Sequence, residues 1–230
     1  MERMRQGGNV QHTPSATVEH ESLAGLLGGR RGAVDASLPP LTFVLAWLVS
    51  GHSVVWGAGA AIAVSTVIGV FRLLRGQKAR AVVLSLAAVV VASAIALYTG
   101  RAQDFFLLQL FANMASALVW AGSIVLRWPM LGVVLGAVLG QRTRWRRDPD
   151  LLRAHSLASW VWVGQYTVRV VVFGALWATG HVVSLGVARA VLTWPLVALC
   201  LAVSGWVLHR ALPDDHPGIR HPRPAQRAED

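Results

Sequence analysis

Glutamate is missing from almost the whole chain: none occurs between Glu21 and Glu229 of its 230 residues. Aspartate is nearly as scarce, and between Glu21 and Asp148 the only carboxylates are Asp35 and Asp104. That scarcity argues against a hydrolase built on paired carboxylates and against a carboxylate-rich metal centre. It also weakens the case for a proton-coupled pump, which commonly relies on Asp or Glu buried in the membrane. Cysteine occurs once, as Cys200, so no intrachain disulfide can form. The eight histidines are scattered and never form the H-E-x-x-H pair of a zinc helix. His209, His216 and His221 with Asp214 and Asp215 are read as a solvated tail rather than a chelating site. Gly25, Gly28, Gly29 and Gly32 surround Arg30 and Arg31 without the Gly-Lys-Ser/Thr of a phosphate loop, so a basic juxtamembrane turn accounts for them. No catalytic, cofactor-binding or metal site is expected, and the chain is not read as an enzyme.

Charge of either sign is also low. Charged residues make up 14% of the chain against 54% hydrophobic, where soluble domains carry about 25% charge. The apolar residues gather into blocks divided by short basic stretches, the pattern of a chain that lives in lipid. The net charge of +10 follows the same plan. Four of the 21 Lys and Arg precede residue 38, four lie in 72–80, six in 127–153 and four after 209. Only Arg101, Arg169 and Arg189 fall elsewhere. Basic residues flanking apolar blocks set orientation and attract anionic lipid headgroups, whereas nucleic acid is excluded as a partner by the lack of any binding motif.

The expected fold is an all-α polytopic transmembrane bundle of six spans plus one short re-entrant or interfacial helix. Residues 1–24 and 211–230 read as disordered cytoplasmic tails around a membrane domain at 25–210. The polar start lacks a signal-peptide pattern, so the first apolar segment acts as an uncleaved anchor. The spans are placed at about 38–51, 53–71, 81–99, 104–126, 156–179 and 183–208. Pro39 and Pro40 open the first, and Pro195 kinks the last. The segment 129–140 is too short to cross upright. Six crossings put both large basic loops and both termini in the cytoplasm, leaving Arg101 alone outside, in the plasma (inner) membrane. Small residues recur every four positions at Ser53, Gly57, Ala61, Ser65 and Gly69, at Ala88, Ala92, Ala96 and Gly100, and at Gly132, Gly136 and Gly140. Such faces allow close helix contacts, within the bundle or with partner membrane proteins or further copies of the chain.

Polar residues inside the spans form the candidate intramembrane site. Gln109, Asn113, Ser116, Trp120, Ser123 and Arg127 share one helical face that must turn away from lipid. Arg169 lies near the middle of span five with Gln165 one turn earlier, and in hydrocarbon it requires an anionic or carbonyl partner. Asp35 and Asp104 are the protein carboxylates within range. Two readings stand: a polar pathway or binding cleft, and interhelical bonding that only fixes the packing.

Several strings carry a resemblance: Gly28-Gly29-Arg30-Arg31-Gly32 with Asp35 and Pro39; Arg72-Leu73; Thr99-Gly100-Arg101-Ala102-Gln103-Asp104-Phe105-Phe106; Arg127-Trp128-Pro129; Trp145-Arg146-Arg147-Asp148-Pro149; Trp160; Arg169; and Trp194-Pro195. Over about residues 24–210 the chain resembles the DUF3159 family, which implies a multi-pass membrane protein of actinobacteria with no assigned activity. It is more distantly similar to the intracellular septation protein A family, through Asp35 and Pro39, the basic loop after span two and the Arg-x-Pro turn. That likeness implies a role in cell-envelope processes, although the long Arg-rich loop, the two tails and the extra tryptophans depart from it. The resulting expectation is a non-enzymatic scaffold or partner for envelope machinery. The alternative is a transporter or channel for a small solute, an anion among the candidates, around Arg169 and Asn113, with the short Pro-opened segments 38–51 and 129–140 as its broken helices.

Overall fold

The structure, a computed structural model, describes residues 29–141, 143–213 and 216–219. The expected tail at 1–24, and 220–230 of the other, lie outside the described residues. Seven α-helices and two short 3-10 turns account for the described chain. The helices are α1 (Gly29–Val49), α2 (Val54–Leu74), α3 (Ala79–Thr99), α4 (Leu107–Val125), α5 (Met130–Val138), α6 (Pro149–Ala178) and α7 (Val182–Ala211). The 3-10 turns are Ala102–Phe106, which leads into α4, and Arg144–Arg147, which precedes α6.

Five helices, α2, α3, α4 with its leading turn, α6 and α7, are long and apolar enough to cross a bilayer. The expectation of six spans is therefore met for five. The first helix departs from it: α1 has 21 residues, but its apolar stretch is Ser37–Val49. Pro39 and Pro40 sit inside α1 rather than opening it. Proline lacks an N–H, so the carbonyls of Asp35 and Ala36 lose their usual helical donors. Both prolines are buried, and their rings pack in the bundle instead of interrupting it.

The short helix α5 is 9 residues long, about 14 Å, and cannot cross a core of about 30 Å. Two hydroxyls tie down its first turn: Met130 donates its N–H to Ser123 Oγ at 3.2 Å, and Leu131 to Ser159 Oγ at 3.4 Å. Buried Trp145 lies against Gly132, where a Cβ would come within 2.8 Å of the indole. Asp148 caps α6 by accepting from the N–H groups of Asp150 and Leu151. Its other oxygen meets His216 Nε2 at 2.9 Å, with both side chains fully buried. Gly218 donates to His216 Nδ1 at 3.0 Å, so the neutral ring carries its proton on Nε2 and donates it to Asp148. Gln141 Nε2 donates to Ile219 O at 2.8 Å beside it.

The long helices pack side by side in the order α3, α2, α1, α7, α6, α4, the inner four each on two neighbours and the end helices α3 and α4 closely on one. The small-residue face of α2 makes two of these contacts. Gly57 approaches the Phe43 carbonyl of α1, and Gly69 approaches Val82 of α3. The sequence ends of the ring, α3 and α4, touch each other only sparingly, near the 3-10 turn that joins them. An aromatic cluster braces that end, with Phe43 stacked on Phe105 at 4.1 Å and Phe106 edge-on to both.

The Gly132–Trp145 contact makes a test of the α5 placement. Gly132→Leu is expected to lower stability by about 1–3 kcal/mol through overpacking. Gly122→Ala, where nothing lies within 4 Å of the added carbon, should stay within about 0.5 kcal/mol of the parent. Thermal unfolding of the detergent-solubilised protein measures both.

Candidate functional site

Helices α4 and α6 run antiparallel. Asp104, just before α4, accepts from Trp177 Nε1 of α6 at 2.8 Å, while Trp120 stacks on Trp162 with centroids 5.0 Å apart and planes 7° from parallel. Counting seven residues from that stack along each helix puts Asn113 level with Arg169. The polar face of α4 therefore turns into the bundle, with Asn113 buried and Gln109, Ser116, Trp120 and Ser123 half-buried, while Phe111, Leu118 and Val125 remain exposed on the opposite face.

Arg169 pairs with neither Asp35 nor Asp104. Its Nη2 donates to the carbonyls of Leu192 and Thr193 on α7, at 2.9 and 3.0 Å. The reason lies in the turn before Pro195. Proline offers no N–H to Val191 and crowds the carbonyls behind it, and the guanidinium from the neighbouring helix binds the two carbonyls that follow Val191 in the same turn. The network continues. Thr193 Oγ1 donates to Arg189 O at 2.5 Å, Arg189 Nη1 donates to Gln109 Oε1, and Gln109 Nε2 donates to Asn113 Oδ1 at 3.2 Å. Both intramembrane arginines thus belong to one network crossing α6, α7 and α4. Not all of it is satisfied. Both amide atoms of Gln165, Asn113 Nδ2, Arg169 Nε and Trp162 Nε1 are buried without a protein partner, and a buried unpaired group costs about 1–3 kcal/mol.

A cavity of about 600 Å³ opens beside this network. It is walled by α1, α2, α3, α4, the 3-10 turn before α4 and Arg189 of α7. At one end stand Asp35, Arg72, Arg75 and Gln77, with Arg72 Nε donating to Gln77 Oε1 at 2.7 Å. At the other end lie Gln109, Arg189, Phe105 and Phe106. Ser65, Ser85, Ala88, Ala92 and Ala112 line the middle with small side chains. Three arginines thus surround the space against one carboxylate, and among the described residues no carboxylate is within ion-pair distance of Arg189.

The predicted residues divide between these two regions. Arg169 and Asn113 belong to the packed network with Gln165 buried one turn from Arg169 but unbonded, Asp35 to the cavity mouth, and Gln109 to both. Ser123 caps α5, and Asp104 anchors the 3-10 turn to Trp177, where Arg101 also lies over the indole at 5.5 Å. Arg189 is the functional candidate that sequence reasoning passed over. It lies seven residues into α7, about 10 Å from that helix end, and the argument applied to Arg169 reaches it equally.

Five membrane-length apolar helices around a partly polar interior define a multi-pass helical membrane protein. Residues 27–215 match the family described as "Protein of unknown function (DUF3159)", and the chain belongs to that family. No curated protein and no solved structure matches it.

The network separates the two arginine partners by stability. Arg169→Leu should lose about 1–3 kcal/mol because the α7 turn loses its donor, with Arg169→Lys recovering part. Gln165→Leu, which removes an amide without protein partners, should be neutral or stabilising by about 1 kcal/mol. Thermal unfolding in one detergent, with the parent as reference, measures all three.

Proposed function

We propose that this chain is a non-enzymatic plasma-membrane protein that binds an anionic small solute in the cavity beside Arg189 and moves it across the bilayer. The observation that carries the reading is three arginines facing one space with a single carboxylate among them. Arg189 contributes most. It keeps donors beyond the one given to Gln109, it sits away from bulk water, and there its field is little screened. An anion entering the cavity would find a fixed, bidentate-capable guanidinium flanked by the Gln109 amide.

The orientation follows from charge. The end that holds Arg72, Arg75, Lys78 and Arg80, and the Arg144–Arg147 turn, is assigned to the cytoplasm on the positive-inside bias, and α1, 21 residues long, is taken as the sixth crossing that brings both termini to that side. The cavity mouth at Arg72 and Arg75 then faces inward, and the Phe43–Phe105–Phe106 cluster closes the outer side. One observation favours the scaffold reading instead: Arg169 is held by helix carbonyls rather than opening on the cavity, as expected of a purely structural polar residue. An envelope partner could then dock on the basic end.

Proteoliposomes separate the two. Uptake of radiolabelled anions, inorganic phosphate, chloride and short carboxylates, should be detectable for at least one, and Arg189→Gln should reduce it by about tenfold, the worth of one charge-assisted bond. Unchanged uptake in Arg189→Gln, with a folded protein by size-exclusion chromatography, removes the cavity as the site.

A further inference from the structure

The end helices α3 and α4 meet only slightly, and both line the cavity. Resting on the anion reading above, we propose that the ligand is amphipathic: an anionic headgroup held inside the cavity, on an apolar chain that stays in the lipid between α3 and α4.

Three observations lead there. First, α3 and α4 part from their shared 3-10 turn, and their mutual contact is slight although each packs closely elsewhere. In a water-soluble protein such a gap would open on solvent, whereas here both helices are flanked by lipid along their length. Second, the exposed residues with which α3 and α4 line the cavity are small. Ser85 and Ala88 on α3 and Ala112 on α4 line the cavity and are exposed. Small side chains on both edges leave width for an acyl chain. Third, the charges lie on the far wall. Arg72 and Arg75 belong to the end of α2 and Arg189 to α7, while the α3 and α4 walls add no charge. A headgroup in this space therefore meets guanidinium groups on one side and an exit to hydrocarbon on the other.

The dimensions agree. Along α2 the lining runs from Ser65 to Arg75, about 15 Å of helix, and along α3 from Ser85 to Ala92, about 10 Å. A headgroup can thus travel from the inner-leaflet level at Arg72 toward Arg189 deep in the bundle while its chain remains in lipid throughout. A second cleft of about 240 Å³ shares Asp35, Ile68, Arg72 and Arg75 with the main one and adds Phe71, which is 57% exposed. The mouth thus reaches the membrane surface sideways as well as from below. A freely soluble anion needs none of this, since the basic mouth alone would admit it.

Three probes of graded chemistry test the idea on the full-length protein in phosphatidylcholine nanodiscs. These are dodecyl phosphate, inorganic phosphate and dodecylphosphocholine, with binding followed by intrinsic tryptophan fluorescence. Dodecyl phosphate should bind at least about tenfold more tightly than inorganic phosphate, because several methylenes leave water with it. It should also exceed dodecylphosphocholine, which carries the same chain without net charge. Ala112→Trp, which narrows the gap, should shrink the preference for the dodecyl over the inorganic ester to less than about twofold. Arg189→Gln should weaken dodecyl phosphate about tenfold, with Arg189→Lys recovering part, and this separates loss of charge from misfolding. Equal binding of dodecyl and inorganic phosphate overturns the amphiphile proposal and leaves the anion reading intact. Equal binding of dodecyl phosphate and dodecylphosphocholine overturns the requirement for charge. Absence of binding by all three overturns the amphiphile proposal, and the uptake of chloride and short carboxylates then decides the anion reading. A crosslink between copies joining Ala88→Cys of one to Ala112→Cys of another would give the gap to a second copy of the chain and overturn the proposal as well.

Discussion

A guanidinium placed in the middle of a membrane bundle must be answered by something, and in this chain the answer is backbone. Arg169 is held by the carbonyls of Leu192 and Thr193, at the turn of α7 that Pro195 leaves short of a donor. The buried cation is thereby satisfied by backbone immediately beside the Val191 carbonyl, which Pro195 leaves without its helical donor. The position of α7 against α6 is fixed at that point, and with it the position of Arg189 one turn earlier. Arg189 in turn reaches Gln109, which sets α4 at the same level. The cavity inherits its deep basic end from this arrangement.

The basic end is secured by different means. There polar groups lie near water, and the fixed points are a capping carboxylate, two serine hydroxyls and a tightly packed indole. Asp148 serves three partners in two segments, the start of α6 and the His216 ring. The described part of the segment after α7 is thereby bound to the Arg-rich connection rather than standing apart from it.

Much of the fold was legible in the sequence, because burial in lipid leaves few choices. Apolar blocks divided by arginines gave the number and order of the helices and most of their ends, although the first and the sixth begin nine and seven residues before the expected spans 38–51 and 156–179; the period-four stripe on α2 marked the glycines that meet Phe43 and Val82. The limits are equally physical. Pro39 and Pro40 looked like a helix start, yet a helix already under way can carry them when their carbonyl partners are sacrificed on a packed face. Arg169 was recognisable as needing a partner, but a search among carboxylates could not find carbonyls, which every residue possesses. Arg189 stands as an isolated charge in the sequence, but nearer a helix end than the midpoint, where a charge is less conspicuous than Arg169 at mid-span. The cavity had no local signature at all: it exists because α3 and α4 separate after a common turn, and no residue pattern within either helix records that separation.

The side opening has a mechanical consequence. With α3 and α4 barely touching, the molecule consists of two lobes, one of α1, α2 and α3 and the other of α4, α6 and α7 with α5. They are joined through the α1–α7 contact and the 3-10 turn at Ala102–Phe106. The Arg169–Thr193–Arg189–Gln109 network lies wholly in the second lobe, whereas Arg72 and Arg75 ride on the first. A rocking of one lobe about that seam would change the spacing between the two basic ends without disturbing a single bond of the network.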